Sequence, residues 1–248
     1  MAITRQTMEI KRAYWDRKFE KELKKFFRTQ GEEIRRLKNR SDLTRFRNAA
    51  IQQVEQDKAK LRKIYQAQYS GIVDDFGKYV YKELLNQKAF SIFAFGVYTW
   101  IAAMALKQSN LVSSYTILTI KNAVKKANEE GWTIDTTANL IKDIFFNRFS
   151  KSRAKRIART EVNSASNYGS YAGAQQTGLK LKKIWIATND SRTRPSHKKA
   201  GRHKPIDLNA KFTVGRSKME YPGDPAGRPE EIINCRCAIG YRRVKDDD

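Results

Sequence analysis

The first 194 residues contain no proline; all five prolines fall at Pro195 or later. A chain without the residue that removes an amide donor and clashes with the preceding turn is free to run as long helices. Cysteine is equally scarce, limited to Cys235 and Cys237. Two thiols spaced C-x-C are too few for a disulfide-stapled secreted fold, and they suit a reducing compartment. Met1-Ala2-Ile3-Thr4-Arg5 lacks the apolar core of a signal peptide, so export by that route is not expected. There is no internal repeat. Acidic residues are also in short supply: 26 against 50 basic ones leave a formal charge of +24.

That excess favours a polyanionic partner, through release of the partner's counterions, and costs self-repulsion in the free chain. Nucleic acid comes first and an anionic membrane surface second; a basic protein that is merely soluble is the plain alternative. Residues 1–150 hold 28 basic against 16 acidic side chains and residues 151–248 hold 22 against 10, so each part carries +12 and the shorter one is denser. Such a spread differs from a single basic docking helix and suits a protein set among phosphates. With 40% hydrophobic and 11% aromatic residues, the chain can bury a core and is no disordered tail. Its 248 residues fit one large domain or two smaller ones.

Residues 1–149 read as a helical domain. Trp15, Phe19, Leu23 and Phe26/Phe27 recur at steps of three and four and make one apolar stripe, with Glu20 and Lys24 placed to pair across a turn. Ser41-Asp42 marks a second helix start, followed by Leu43, Phe46, Ala50, Val54, Leu61 and Ile64; Gly71 and Gly77 are expected to interrupt or bend that helix. Ala89 to Leu106 is eighteen residues without a charge, bracketed by Lys88 and Lys107. As a helix it would run ~27 Å, just short of the ~30 Å hydrocarbon core of a bilayer. Phe90, Phe93, Val97, Trp100 and Met104 form its bulky stripe. A central core helix is the expectation, ahead of a surface for a neighbouring subunit and of membrane insertion. Residues 110–130 stay ambiguous, because Tyr115-Thr116-Ile117-Leu118-Thr119-Ile120 is β-branched enough for a strand. Gly131 closes the segment. A helix follows from about Asp135 to Phe149, with Ile141, Ile144 and Phe145 inward; Ser150 then caps the next one, which runs to Thr177 and Gly178.

Residues 150–248 read as a smaller α+β domain. Leu181 to Ala187 is a strand, the stretch beyond is rich in turn formers, and Cys235 to Val244 is a second strand. Asp246–Asp248 should fray. The fold class is therefore mostly α, with long N-terminal helices followed by a small α+β module.

Arg153, Lys155, Arg156 and Arg159 make a basic helix face that can hold phosphates without reading sequence, with Lys182 and Lys183 as further contacts; a solvated surface is the alternative. Glu161 has no cation three or four residues away, so a tertiary pair with Arg192, Arg194 or Arg236 is expected. Asp190, Arg192, Arg194 and His197 share one polar loop, where Asp190 can accept from the turn's own amides. His197 as a general base or metal ligand is the sharper alternative. Cys235 and Cys237 should face one way with Arg236 opposite. They are either two buried thiols or, with His197 and a fourth ligand from Asp190 or His203, a structural zinc site. Apart from that zinc, no cofactor is expected.

The C-terminal third resembles the Mu F-like minor head proteins of tailed phages. The resemblance rests on ordered pieces: Arg153 to Glu161, ending Ala-Arg-Thr-Glu at Ala158, Arg159, Thr160 and Glu161; Asn167 and Gly178; Lys183 to His197; Gly201, Asp207 and Phe212; Tyr221-Pro222-Gly223-Asp224-Pro225; and Ile233-Asn234-Cys235-Arg236-Cys237. Ala200-Gly201 stands where the family usually has an Asp-Gly turn. The resemblance covers about residues 130–245 and implies a non-enzymatic structural protein in the head interior near the portal, assembled in the host cytoplasm. Its implied partners are the portal protein, phage DNA and a scaffold or major capsid protein, with no membrane. A DNA-processing enzyme using His197 with Asp190 or a metal, and an ejected membrane-active protein, are the competing readings. Relatives also resemble amino-terminal modules of some phage-borne toxins; no toxin domain is expected here.

Overall fold

The computed structural model describes residues 5–87 and 89–244. The opening residues 1–4, Lys88 and the Asp246–Asp248 end lie outside the described residues. The fold is mostly α: long helices come first, and a small α+β region follows. Helix α1 spans Arg5–Arg36, α2 Leu43–Leu85, α3 Phe95–Glu129 and α4 Ile134–Asp143. A π-helical segment, Ile144–Arg153, leads without a break into α5, Ala154–Gln176. Strand β1 (Leu181–Ile186) is followed by α6 (Pro195–Ala200), β2 (Ile206–Asp207), β3 (Phe212–Val214), β4 (Ser217–Met219), α7 (Pro229–Ile232) and β5 (Ala238–Arg243). The sheet order is β2-β1-β5, antiparallel throughout, and β3 pairs with β4 as a separate hairpin.

The described residues form two compact units. One comprises the chain up to Arg17, Tyr69–Tyr98 and everything from Arg156 onward; the other comprises Lys18–Gln68 and Thr99–Lys155. In the unit of Lys18–Gln68 and Thr99–Lys155 most of the apolar stripes do what their spacing predicts: Phe19, Leu23, Phe27, Phe46, Ala50, Val54 and Leu61 are buried, while Ile64 is half-buried and its neighbour Tyr65 turns inward instead. The Asp42 carboxylate accepts from the Arg45 amide at 2.7 Å and starts α2. Glu20 and Lys24 pair at 2.6 Å. Gly131 and Gly178 end their helices at positive φ, where a side chain would be strained.

Several expectations are corrected. Gly71 and Gly77 do not interrupt α2; they let aromatic rings close in, since a Cβ would meet Trp15 and Phe90, respectively, inside contact distance. Gly169 and Gly173 of α5 lie against the backbone of Val73 and Gly77 in the same way, where a Cβ would sit 2.7 and 2.5 Å from the carbonyl oxygens. The uncharged stretch 89–106 is not a core helix: the helix begins only at Phe95, and Phe93, Phe95 and Tyr98 are 85%, 84% and 63% exposed. No helix of the described residues is long and apolar enough to cross a membrane. Residues 110–129 are helix, their β-branched run notwithstanding, and the Thr116 and Thr119 hydroxyls donate back to the carbonyls of Val112 and Tyr115. Ser150 caps nothing. It lies buried inside the π segment, donating to Phe146 O. That segment brings the Phe145 and Phe149 rings to 4.8 Å.

Candidate functional site

Several of the expected motif pieces meet at one end of the β1–β5 pair. The last registered residues there are Ile186 and Ala238, so the chain leaving β1 and the chain entering β5 start side by side. Asp190 and Arg236 join them in a two-pronged ion pair at 2.6 and 2.7 Å. Asp190 also accepts from the Arg192 amide and the Thr193 hydroxyl, both at 3.0 Å, as its turn position predicts. The hydrogen bonds from Arg236 hold its carboxyl well below the usual carboxylate range. Arg194 donates to Ile233 O at 2.5 Å. From α5, the Thr160 hydroxyl accepts the Asn234 amide at 3.1 Å. Asn234 and Asn189 both sit at positive φ, a conformation asparagine tolerates better than most residues.

Behind this pair lies a buried group. His197 Nδ1 is 3.3 Å from Cys237 Sγ and 3.7 Å from Cys235 Sγ, and Nε2 is 3.0 Å from a Glu231 carboxylate oxygen. Cys235 and Cys237 face inward and Arg236 outward, as the alternation predicts, although this stretch precedes β5 and does not belong to it. The hydrogen bond from Cys235 and the proximity of His197 pull the Cys237 thiol down. That same bond, together with burial, pushes Cys235 up. Asp190 and His203 do not join the group: Asp190 is engaged with Arg236, and His203 is exposed. Nor does Asp190 orient His197 as a base would require, because the carboxylate on the imidazole belongs to Glu231.

Two of the expected phosphate contacts are buried. Arg153 stacks on Phe149, Tyr115 and Phe27 and donates to Thr116 Oγ1 and Val112 O. Lys183 points inward from β1, over the rings of Tyr171 and Phe212, with Nζ donating to Glu220 O at 2.8 Å. Their side chains serve the interior. Lys155, Arg156 and Lys182 are exposed and Arg159 is half-buried. Glu161 does not meet Arg192, Arg194 or Arg236; it accepts from the Tyr69 hydroxyl at 2.5 Å.

Arg12 and Glu231 were not apparent from the sequence. Arg12 is buried on α1 and donates to Ser166 Oγ, Asn167 Oδ1 and Cys237 O. Burial lowers its pKa to about 10. Its signal was its position: Met8, Arg12, Trp15 and Phe19 fall on one stripe, and a cation on an apolar stripe is aimed at an interior acceptor. Nothing in Pro229-Glu230-Glu231 sets the second glutamate apart from the first. Asn167 completes the junction, accepting the Ile239 amide and donating to the carbonyls of Pro222 and Cys237. An open cleft of about 370 Å³ beside it is lined by Arg5, Arg159, Arg192 and Arg236 among others, with Glu9 and Asp16. Arg159 makes no ion pair among the described residues.

These contacts describe a structural module, in which most motif side chains hold loops to helices. Residues 118–240 match the family described as Phage Mu protein F like protein. That stretch, just under half of the chain, carries the Mu F-like module. Over 97 residues it is 34% identical to the Minor head protein GP7 of Bacillus phage SPP1, covering 38% of this chain and 31% of that protein. It is 35% identical over 91 residues to the NAD(+)–arginine ADP-ribosyltransferase EFV of Enterococcus faecalis, covering 36% of this chain and 18% of that one. It is 21% identical over 176 residues to the uncharacterized protein YqbB of Bacillus subtilis, covering 67% and 55%. The chain thus spans between 18% and 55% of the length of these relatives. No solved structure matches it.

Proposed function

We propose that this chain is a minor head protein of a tailed phage, held inside the head near the portal, where it grips DNA through phosphates and acts in head assembly and genome packing or release. One observation carries the DNA-binding part. The interior takes up cations such as Arg12, Arg153 and Lys183, while Lys155, Arg156 and Lys182 stay exposed and Arg159 opens on the cleft. With a chain charge of +24, those side chains favour a polyanion, held through phosphates. The kinship with an SPP1 protein named as a minor head protein supports the placement in the head. Exposed Phe93, Phe95 and Tyr98 supply apolar surface for a protein neighbour, which this reading takes to be the portal. No bond-making chemistry is part of the role.

Fluorescence anisotropy with labelled duplexes tests it. Affinity should fall steeply with salt and barely change with sequence. The combined Arg156→Glu, Arg159→Glu and Lys182→Glu variant should flatten the log–log salt slope by about 3, at roughly 0.9 for each phosphate that is no longer neutralised. A chain that ignores duplexes in dilute buffer, or that cleaves them, would sink the reading.

A further inference from the structure

We propose that Cys235, Cys237 and His197 bind one zinc ion, with Glu231 fixing the imidazole. The three side chains are buried, and their ligand atoms all lie within 4.8 Å of one another. Zinc–sulfur and zinc–nitrogen bonds of ~2.3 and ~2.0 Å at a tetrahedral angle separate sulfur from nitrogen by about 3.5 Å. The observed separations, 3.3 Å from Cys237 Sγ to His197 Nδ1 and 3.7 Å from Cys235 Sγ, bracket that distance. Hydrogen bonds link these atoms in pairs, Cys235 with Cys237 and Cys237 with His197, whereas a cation takes a lone pair from all three at once. Two thiolates and an imidazole are the donor set that selects zinc over the harder oxygen-loving cations.

The surroundings suit a ligand histidine. Glu231 meets Nε2 at 3.0 Å, leaving Nδ1 to the sulfurs, and Ser196 Oγ donates to the same carboxylate oxygen at 2.8 Å. A carboxylate on the far nitrogen holds ring and tautomer in place and makes the imidazole a stronger donor. The described residues supply three ligands, leaving one position of a tetrahedron for a further donor. The ion would fasten α6, after β1, to the segment entering β5, beside the Asp190–Arg236 pair that joins the same two stretches.

Untagged full-length protein, purified reduced and without chelator, should carry about one zinc per chain by elemental analysis. Added cobalt should give sulfur-to-metal charge-transfer absorption, and a chelator should lower the melting temperature. Cys237→Ser and His197→Ala should lose the metal, with circular dichroism recorded to show that each variant folds. Glu231→Gln should bind on the order of 10-fold more weakly. His203→Ala should keep a full equivalent. Reduced wild-type protein that holds under about a tenth of an equivalent and gives no cobalt–thiolate band would overturn the proposal, because these readings need no variant to fold. So would a Cys235–Cys237 disulfide in the freshly purified chain, seen as a mass two hydrogens short.

Discussion

Buried hydroxyls and amides occur in both units, and they reach different distances along the chain. In the unit of residues 18–68 and 99–155 most bond within their own helix: Ser109 to Leu106 O, Thr116 to Val112 O, Thr137 to Thr133 O and Ser150 to Phe146 O. In the other unit several cross the sequence, as do buried cations: Asn167 reaches Pro222 and Ile239, Thr160 meets Asn234, Arg12 reaches Cys237 and Lys183 reaches Glu220. A helix has already satisfied its own carbonyls, so a hydroxyl there only adds a second bond. Loop backbone has no such partner, and its buried groups must be met by side chains from elsewhere. Apolar packing therefore carries the helical unit, and polar cross-links carry the loops of the other.

Three measurements would test this contrast. The largest effect should come from the helical unit, where Phe149→Ala removes a fully buried ring shared with Phe27, Phe145 and Arg153. Denaturant unfolding should show a loss of about 4 kcal/mol. Asn167→Leu keeps the volume and deletes the polar links, leaving the Ile239 amide and the Pro222 carbonyl unmet, so it should cost about 2 kcal/mol. A loss near zero would mean that the loops stand on packing after all.

The third measurement concerns pH. Burial lowers the Lys183 ammonium from 10.5 to about 8. Between about pH 8 and 10 the folded chain has released a proton that the unfolded chain retains, so raising the pH across that window should stabilise the fold. Above pH 10 the sign reverses, because burial raises Tyr171 to about 12 and Tyr168 higher still, and only the unfolded chain ionises there. Lys183→Met should flatten the rise below pH 10 and leave the fall above it.

Periodicity made α1, the start of α2 and strand β1 readable, because each buries one face only. It misled where burial is partial or supplied from afar. Residues 89–94 carry no charge and still lie outside any helix, since missing charge says nothing about hydrogen bonding. Tyr115 to Ile120 looks like a strand, but Thr116 closes its hydroxyl on Val112 O and also accepts from Arg153. Arg153 and Lys183 read as surface cations, because a one-letter sequence does not show the aromatic walls around them. The C-x-C pair, His197 and Asp190 stand out in the sequence, and the structure draws the first three together; the partners Glu231 and Arg236 needed three dimensions. Glu161 does lack a local cation. Its tyrosine partner lies 92 positions away, beyond any local pattern.

Where Gly169 and Gly173 meet Val73 and Gly77, two helices touch main chain to main chain, with no side chain to act as a cushion. Rotamers elsewhere can shift to absorb a change; peptide planes in contact have no such slack. The spacing of those helices is thereby set by covalent geometry, like a bearing machined without clearance. Asn167, two residues before the first of these glycines, inherits that tolerance, and so do the loops that hang from its amide.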